Sequence, residues 1–232
     1  MVVLVCLVVP AFAEPARTDA SQILDSYLSA SRNQRDRLNG SVAEVSIDAE
    51  VPKLHKHGRL NALRRISRVG RLTYDILRFE GDNSVKNHVI ARYLSAEAQV
   101  RESDDASLAI VPANYKFSYK GRRDLGGRAV HVFDLKPKAS RKGLFKGSLW
   151  IDAQTFLPVR EAGRFVKSPS VFIKSVEFTR AYRVENGLAV VDTLDTTVDT
   201  RVVGPAHMTV HYTDYHVETA TAENTALATD NQ

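Results

Sequence analysis

The chain has 232 residues and one cysteine, Cys6, so it has neither an internal disulfide nor a zinc site built from several thiolates. It also lacks a strong charge of either sign. Its 32 Lys and Arg stand against 27 Asp and Glu, and a formal +5 (His neutral) is too small an excess to argue for nucleic acid. Its N-terminal apolar run falls well short of the roughly 20 residues that cross a bilayer as a helix. Beyond that run there is no cysteine nucleophile, no Gly-x-Ser-x-Gly elbow, no His-Glu-x-x-His pair and no phosphate loop ending in Gly-Lys-Ser/Thr. These absences remove the motif-bearing hydrolases, zinc peptidases and nucleotide binders, and the chain reads as a non-enzyme without a metal or cofactor. What is present, 44% apolar and 25% charged residues, suits a chain with a real core and excludes wholesale disorder.

The apolar run is Val2 to Val9, followed by Pro10, Ala11-Phe12-Ala13 and Glu14-Pro15. Small residues two apart after a short apolar stretch match what signal peptidase accepts, so residues 1–13 read as a leader cut after Ala13, with a retained anchor as the competing reading. No basic segment precedes the run, so the true start of the leader is expected upstream of Met1. Val5 before Cys6 argues against lipidation, and the mature chain would be a thiol-free protein exported to the periplasm or beyond. Residues 218–232 are small and polar and read as a disordered tail.

Between these ends the hydrophobic period changes. Thr18 and Asp19 can cap a helix carrying Ile23, Leu24, Tyr27 and Leu28 on one face, ending before Asn39-Gly40. From Gly40 to Val51 the pattern alternates, with Ala43, Val45, Ile47 and Ala49 on one side and Glu44, Ser46, Asp48 and Glu50 on the other. Leu72, Tyr74 and Ile76 repeat it, as do Tyr115, Phe117 and Tyr119. Further strands are expected at Ala129 to Leu135, Leu144 to Ile151, Phe156 to Val166, Val171 to Val184, Leu188 to Val202 and Ala206 to Val217, separated by turn-forming segments such as Gly126-Gly127 and Glu185-Asn186-Gly187. One helical stripe, Val89, Ile90, Tyr93, Leu94 and Glu97, interrupts them. The plan is helix, three strands, helix, then a long antiparallel meander. It forms a single α+β domain over 14–217 whose nine or ten strands make a curved sheet with amphipathic helices in its concave side.

The histidines do not form a metal site on this reading. His207 and His211 are four apart on a strand, about 13 Å, and His55 and His57 lie in a lysine-rich loop without a third ligand. Charge is informative only locally. Lys53, Lys56, Arg59, Arg64, Arg65, Arg68 and Arg71 form one acid-free stretch, and Lys136, Lys138, Arg141, Lys142 and Lys146 another. Either these are solvated outer faces, or they meet anionic headgroups or a membrane-protein partner. The candidate docking set is Arg59, Arg64, Arg65, Arg68, Arg71, Lys138, Arg141 and Lys142.

Leu149-Trp150-Ile151-Asp152, a turn through Ala153-Gln154-Thr155, then Phe156-Leu157-Pro158-Val159-Arg160 resembles a hairpin of the periplasmic outer-membrane lipoprotein carriers (the LolA/LolB-like superfamily). The N-terminal domain of RseB/MucB-type regulators shares it. Phe156 departs from the glycine common at that position. The resemblance implies an incomplete (half) β-barrel whose cavity holds acyl chains of a lipid or lipoprotein, as a carrier or sensor, possible lipoprotein sorting included. It identifies no lid residue here. Strand phase selects the candidate lining: Val45, Ile47, Leu72, Tyr74, Ile76, Phe117, Tyr119, Leu149, Ile151, Val176, Phe178, Met208 and Val210. The alternative is a regulatory or structural module docking on a membrane or transmembrane partner through its basic face.

Overall fold

A computed structural model describes residues 16–32, 34–103, 106–168, 171–201 and 204–218. The expected leader and all but the first residue of the expected tail lie outside the described residues. Helix α1 (Ala16–Ser31) is followed by the short α2 (Gln34–Arg37) and three strands: β1 (Ser41–Val51), β2 (Lys56–Ile66) and β3 (Leu72–Gly81). Asp82 then caps a helical segment by accepting the Ser84 N–H at 2.8 Å. That segment runs through α3 (Asn83–Val85), a π-turn (Lys86–Ile90) and α4 (Ala91–Ser103). The meander follows as β4 (Tyr115–Leu125), β5 (Arg128–Pro137), β6 (Phe145–Asp152), β7 (Pro158–Phe165), β8 (Ile173–Glu185), β9 (Leu188–Thr200) and β10 (Pro205–Val217). The expected lysine-rich loop around His55 and His57 is instead a tight turn leading directly into β2, where His57 stands opposite Glu50.

All ten strands belong to one sheet in the order β3-β2-β1-β10-β9-β8-β7-β6-β5-β4, and every pairing is antiparallel. Consecutive strands are neighbours everywhere except β3 and β4, and the two halves are joined by the pairing of β1 with β10. β3 and β4 remain as unpaired edges, so this is a curved, open half-barrel. Glu218 is held as well: its N–H donates to the Gly40 carbonyl at 2.7 Å.

Directly paired residues in an antiparallel sheet point to the same side. One row can therefore be followed across all ten strands: Phe79, Leu60, Ile47, Val210, Leu194, Arg180, Glu161, Leu149, Phe133 and Tyr119. Its apolar members pack with Tyr27, Ile90 and Leu94 of the helices into the main core, so this is the concave face and the helices lie within it. A small second cluster of Val130, Val132 and Val159 against Trp150 is separate from that core.

Two glycines show where the sheet strands approach too closely for side chains. A Cβ on Gly147 would sit 1.9 Å from the Ala162 carbonyl oxygen, and one on Gly163 would sit 2.6 Å from that of Lys146. Backbone on both sides leaves no flexible atom to yield. Gly147→Ala should therefore lower stability by at least about 2 kcal/mol. Gly127→Ala, in an open turn at positive φ, should cost only about 1 kcal/mol. Urea unfolding of the two variants measures the difference, and equal midpoints would contradict the close-packing account.

Candidate functional site

The concave face is the part of the molecule that its topology leaves to be filled by something other than sheet. Of the expected lining residues, Val45, Ile47, Leu149, Ile151, Phe178, Met208 and Val210 are buried in the main core, and Tyr74, Phe117 and Tyr119 are half-buried against it. Leu72 and Val176 are buried but outside that core cluster. Ile76 stands apart. It pairs with Ala62 on the inner side, yet it is 53% exposed because β3 is an edge strand with a bulge at this point. It lines no enclosed space.

The structure also places charged residues where the sequence reading had only apolar ones. On β2, Leu60 and Ala62 point inward, and the same phase turns Arg64 inward under α4. Its side chain is only 18% exposed. Its Nε and Nη2 both donate to Oε1 of Glu97, at 3.1 and 2.8 Å. The other carboxylate oxygen, Oε2, accepts from Tyr74 and, at 2.9 Å, from Tyr93, whose hydroxyl lies 2.7 Å from that of Tyr212. Arg64 also stands over the Tyr212 ring, 5.8 Å from its centroid. Five side chains from β2, β3, α4 and β10 thus form one closed network.

Burial would raise the Glu97 pKa, but the Arg64 charge and the phenol donors outweigh it and hold the carboxyl below its ordinary value. Burial beside Glu97 pushes the Tyr74, Tyr93 and Tyr212 hydroxyls up, so they stay protonated donors.

A second pair interrupts the apolar row on β7 and β8. Arg180 Nη1 donates to Glu161 Oε2 at 3.3 Å and lies 3.5 Å from the Tyr182 hydroxyl, which itself donates to Glu161 Oε1 at 2.8 Å. Glu161 is almost sealed, whereas Arg180 keeps 38% of its side-chain surface accessible. Sequence reasoning missed both networks because it counted only apolar residues in each phase. Carrying Phe178 two places on reaches Arg180, and the α4 stripe already contained Glu97.

Arg64 is accordingly corrected from the docking set: it faces the interior, where an exposed partner cannot reach it. Arg59 is engaged with Asp48 at 2.6 Å, Arg65 with Asp75 and Glu218, and Arg71 sits 4.0 Å from Glu102. Only Arg68 of that group is exposed with no acidic partner among the described residues. Lys138, Arg141 and Lys142 are exposed on the β5–β6 loop without one as well. Beside them Lys116 and Lys136 are directly opposed on β4 and β5, an unfavourable pairing in isolation. On the same outward side a groove of about 400 Å³ is lined by Asp48, Glu50, His57, Arg59, Glu80 and His207. Among the described residues, no three His, Cys, Asp or Glu side chains come together as a metal site.

The Leu149–Arg160 hairpin turns on Asp152, whose Oδ1 accepts from the Gln154 and Thr155 N–H groups at 2.9 and 2.7 Å and from the Thr155 hydroxyl at 3.0 Å. Arg128 reaches its other oxygen at 3.1 Å. Burial would raise this carboxyl, but these donors hold it below its ordinary value. Phe156 adopts φ +57°, a left-handed backbone that favours glycine. Its ring lies parallel to His131, centroids 6.5 Å apart.

No family model and no curated protein matches the chain. Among solved structures it is similar to a DUF1329 family protein from Desulfovibrio piger, at 10% identity and TM-score 0.45, over 86% of this chain and 95% of that one. A domain named for outer-membrane lipoprotein sorting from Vibrio parahaemolyticus matches at 13% and 0.46, over 88% and 96%. A LolA superfamily protein from Nitrosomonas europaea matches at 14% and 0.41, over 85% and 94%.

Glu97 and Asp152 both have depressed pKa values, so each stabilises the fold fully above its unfolded pKa, about 4, and loses that contribution as pH falls through the lower folded value. Stability should decline below about pH 4, and less steeply in a Glu97→Gln variant. At neutral pH Glu97→Gln should cost about 3 kcal/mol by leaving Arg64 buried without its counter-charge. Denaturant titrations between neutral and acid pH read both effects.

Proposed function

We propose that this chain is a non-enzymatic, exported lipid-binding protein that takes up acyl chains of a lipid or lipoprotein in the concave face of its open sheet. Residues 14–217 would form one half-barrel domain, acting in the periplasm after loss of residues 1–13. The observation that carries the reading is the inner row: an open sheet presents eight apolar or aromatic positions out of ten and covers them with helices rather than a second sheet. Helix α4, which the Arg64–Glu97 network ties to the sheet, would have to move aside to expose this surface. Uncovered apolar surface at about 25 cal/mol per Å² gives an acyl chain several kcal/mol of binding energy in its place. Nucleic acid and cofactors have no part in this reading. Ligand contacts would come from Val45, Ile47, Leu149, Ile151, Phe178, Met208 and Val210, with Tyr74, Phe117 and Tyr119 at the margin.

The protein purified without detergent should release lipid into an organic extract, seen by mass spectrometry, and the emptied protein should bind a fluorescent fatty acid. Failure of both sinks the carrier reading.

A second reading is favoured by the cations around the β5–β6 loop. Lys138, Arg141 and Lys142 are exposed next to the opposed Lys116 and Lys136, and Val171 and Phe172 at the start of β8 are 78% and 66% exposed. Cations beside exposed apolar side chains suit the surface of an anionic membrane. The variant Lys138→Glu, Arg141→Glu, Lys142→Glu should bind anionic vesicles about a hundredfold more weakly than the wild type. Unchanged co-sedimentation would remove this docking surface.

A further inference from the structure

Arg64 and Arg180 both point into the concave face, and they differ in how their donors are used. A guanidinium carries five N–H donors. Arg64 places two of its nitrogens, Nε and Nη2, on one carboxylate oxygen at 2.8–3.1 Å and is held from two sides of its guanidinium. Arg180 makes its polar contacts through Nη1 alone, at 3.3 and 3.5 Å. Among the described residues, Nε and Nη2 of Arg180 meet no acceptor. Its guanidinium instead stands 5.7 Å from the centroid of the Phe178 ring.

The position matters as much as the free donors. Arg180 lies fifth from the β4 end of the inner row, between Glu161 on β7 and Leu194 on β9. It is surrounded by protein, so its charge is incompletely solvated, yet part of its side chain remains accessible. Arginine cannot shed its proton to escape this environment. A cation left under-bonded beside apolar surface is strongly favourable for an anion that brings its own apolar body, because one ligand satisfies both.

We infer that Arg180 is the headgroup hook of the concave site, and that the ligand is an acyl chain ending in an anionic group, a carboxylate or a phosphate, rather than a neutral lipid. This rests on the acyl-chain reading of the site and names its substrate class. The anionic oxygens take the Nε and Nη2 donors, and the alkyl part lies along the neighbouring apolar row. Glu161 is the built-in competitor: its long contact to Nη1 keeps Arg180 oriented but binds it weakly enough for a ligand to engage the other nitrogens. Tyr182 holds Glu161 on its second oxygen, so the pair stays in place when ligand leaves.

The test measures displacement of a fluorescent fatty acid by dodecanoate, dodecyl phosphate and dodecanol, all below their aggregation limits at pH 8. The wild type should bind at least one of the two anions roughly ten- to a hundredfold more tightly than the alcohol. Comparing dodecanoate with dodecyl phosphate identifies which headgroup fits. Arg180→Gln should abolish that preference while leaving dodecanol binding unchanged, and Arg180→Lys should restore part of it. Glu161→Gln frees Nη1 and should tighten the anion severalfold.

If Arg180→Gln fails to fold because Glu161 is stranded, the double variant Arg180→Gln, Glu161→Gln removes both charges together and must lose the preference in the same way. Equal affinity of the wild type for acid, phosphate and alcohol overturns the hook and leaves the carrier reading intact. An anion preference that survives loss of Arg180 also overturns the hook. Binding of none of the probes overturns both.

Discussion

The arrangement depends on the contact between Arg64 on β2 and Glu97 on α4. An open sheet of ten strands has an inner face that its own curvature does not cover, so helices have to lie in it and be held there. Apolar packing by Tyr27, Ile90 and Leu94 supplies area but little direction. The carboxylate of Glu97, with the guanidinium on one oxygen and phenols on the other, fixes α4 against β2, β3 and β10 at once. Such a buried ionic network adds less to stability than its contacts suggest, because its charges are taken from water. What it adds is a defined seat for the helix.

The same inner surface holds a second ionic pair with a different character. Glu161 and Arg180 sit side by side in a row that is otherwise apolar or aromatic, and their contact is longer than the Arg64–Glu97 bonds. Arg64 is held by two of its nitrogens at short distance, while Arg180 is held by one at long distance. The concave face thus carries one tightly held ionic contact, between β2 and α4, and one looser one, between β7 and β8. On the outside, the cations divide in the same manner. Those on β2 and β3 are mostly neutralised by Asp48, Asp75, Glu102 and Glu218, whereas those around the β5–β6 loop are not.

Much of the architecture was legible because strands and helices differ in hydrophobic period. The alternation in β1, the α1 stripe and the interrupting helix each lay in residues close together in the chain, and the observed order of helices and strands follows them. The hairpin around Asp152 was legible for the same reason: its donors come from the next three residues. Arg64 was misplaced because its stretch was treated as one basic block. Neighbouring residues of a strand face opposite ways, so Arg65 reaches Asp75 outside while Arg64 turns inward. Ile76 was misjudged because phase gives a side but not whether anything covers it, and on edge strand β3 nothing seals it.

Local periodicity and turn chemistry were enough for most of the elements, their order and the apolar character of the inner face, though β2 was hidden in its basic stretch. Only the tertiary structure decided which charged residues share that face. Arg64 and Glu97 are separated by 33 positions, and Tyr93 and Tyr212 by 119. Their meeting depends on strand register, bulges and the seat of α4, all of which are set by packing across the sheet. For the same reason the donors left open on Arg180 could be recognised only once its neighbours on β7 and β9 were in place.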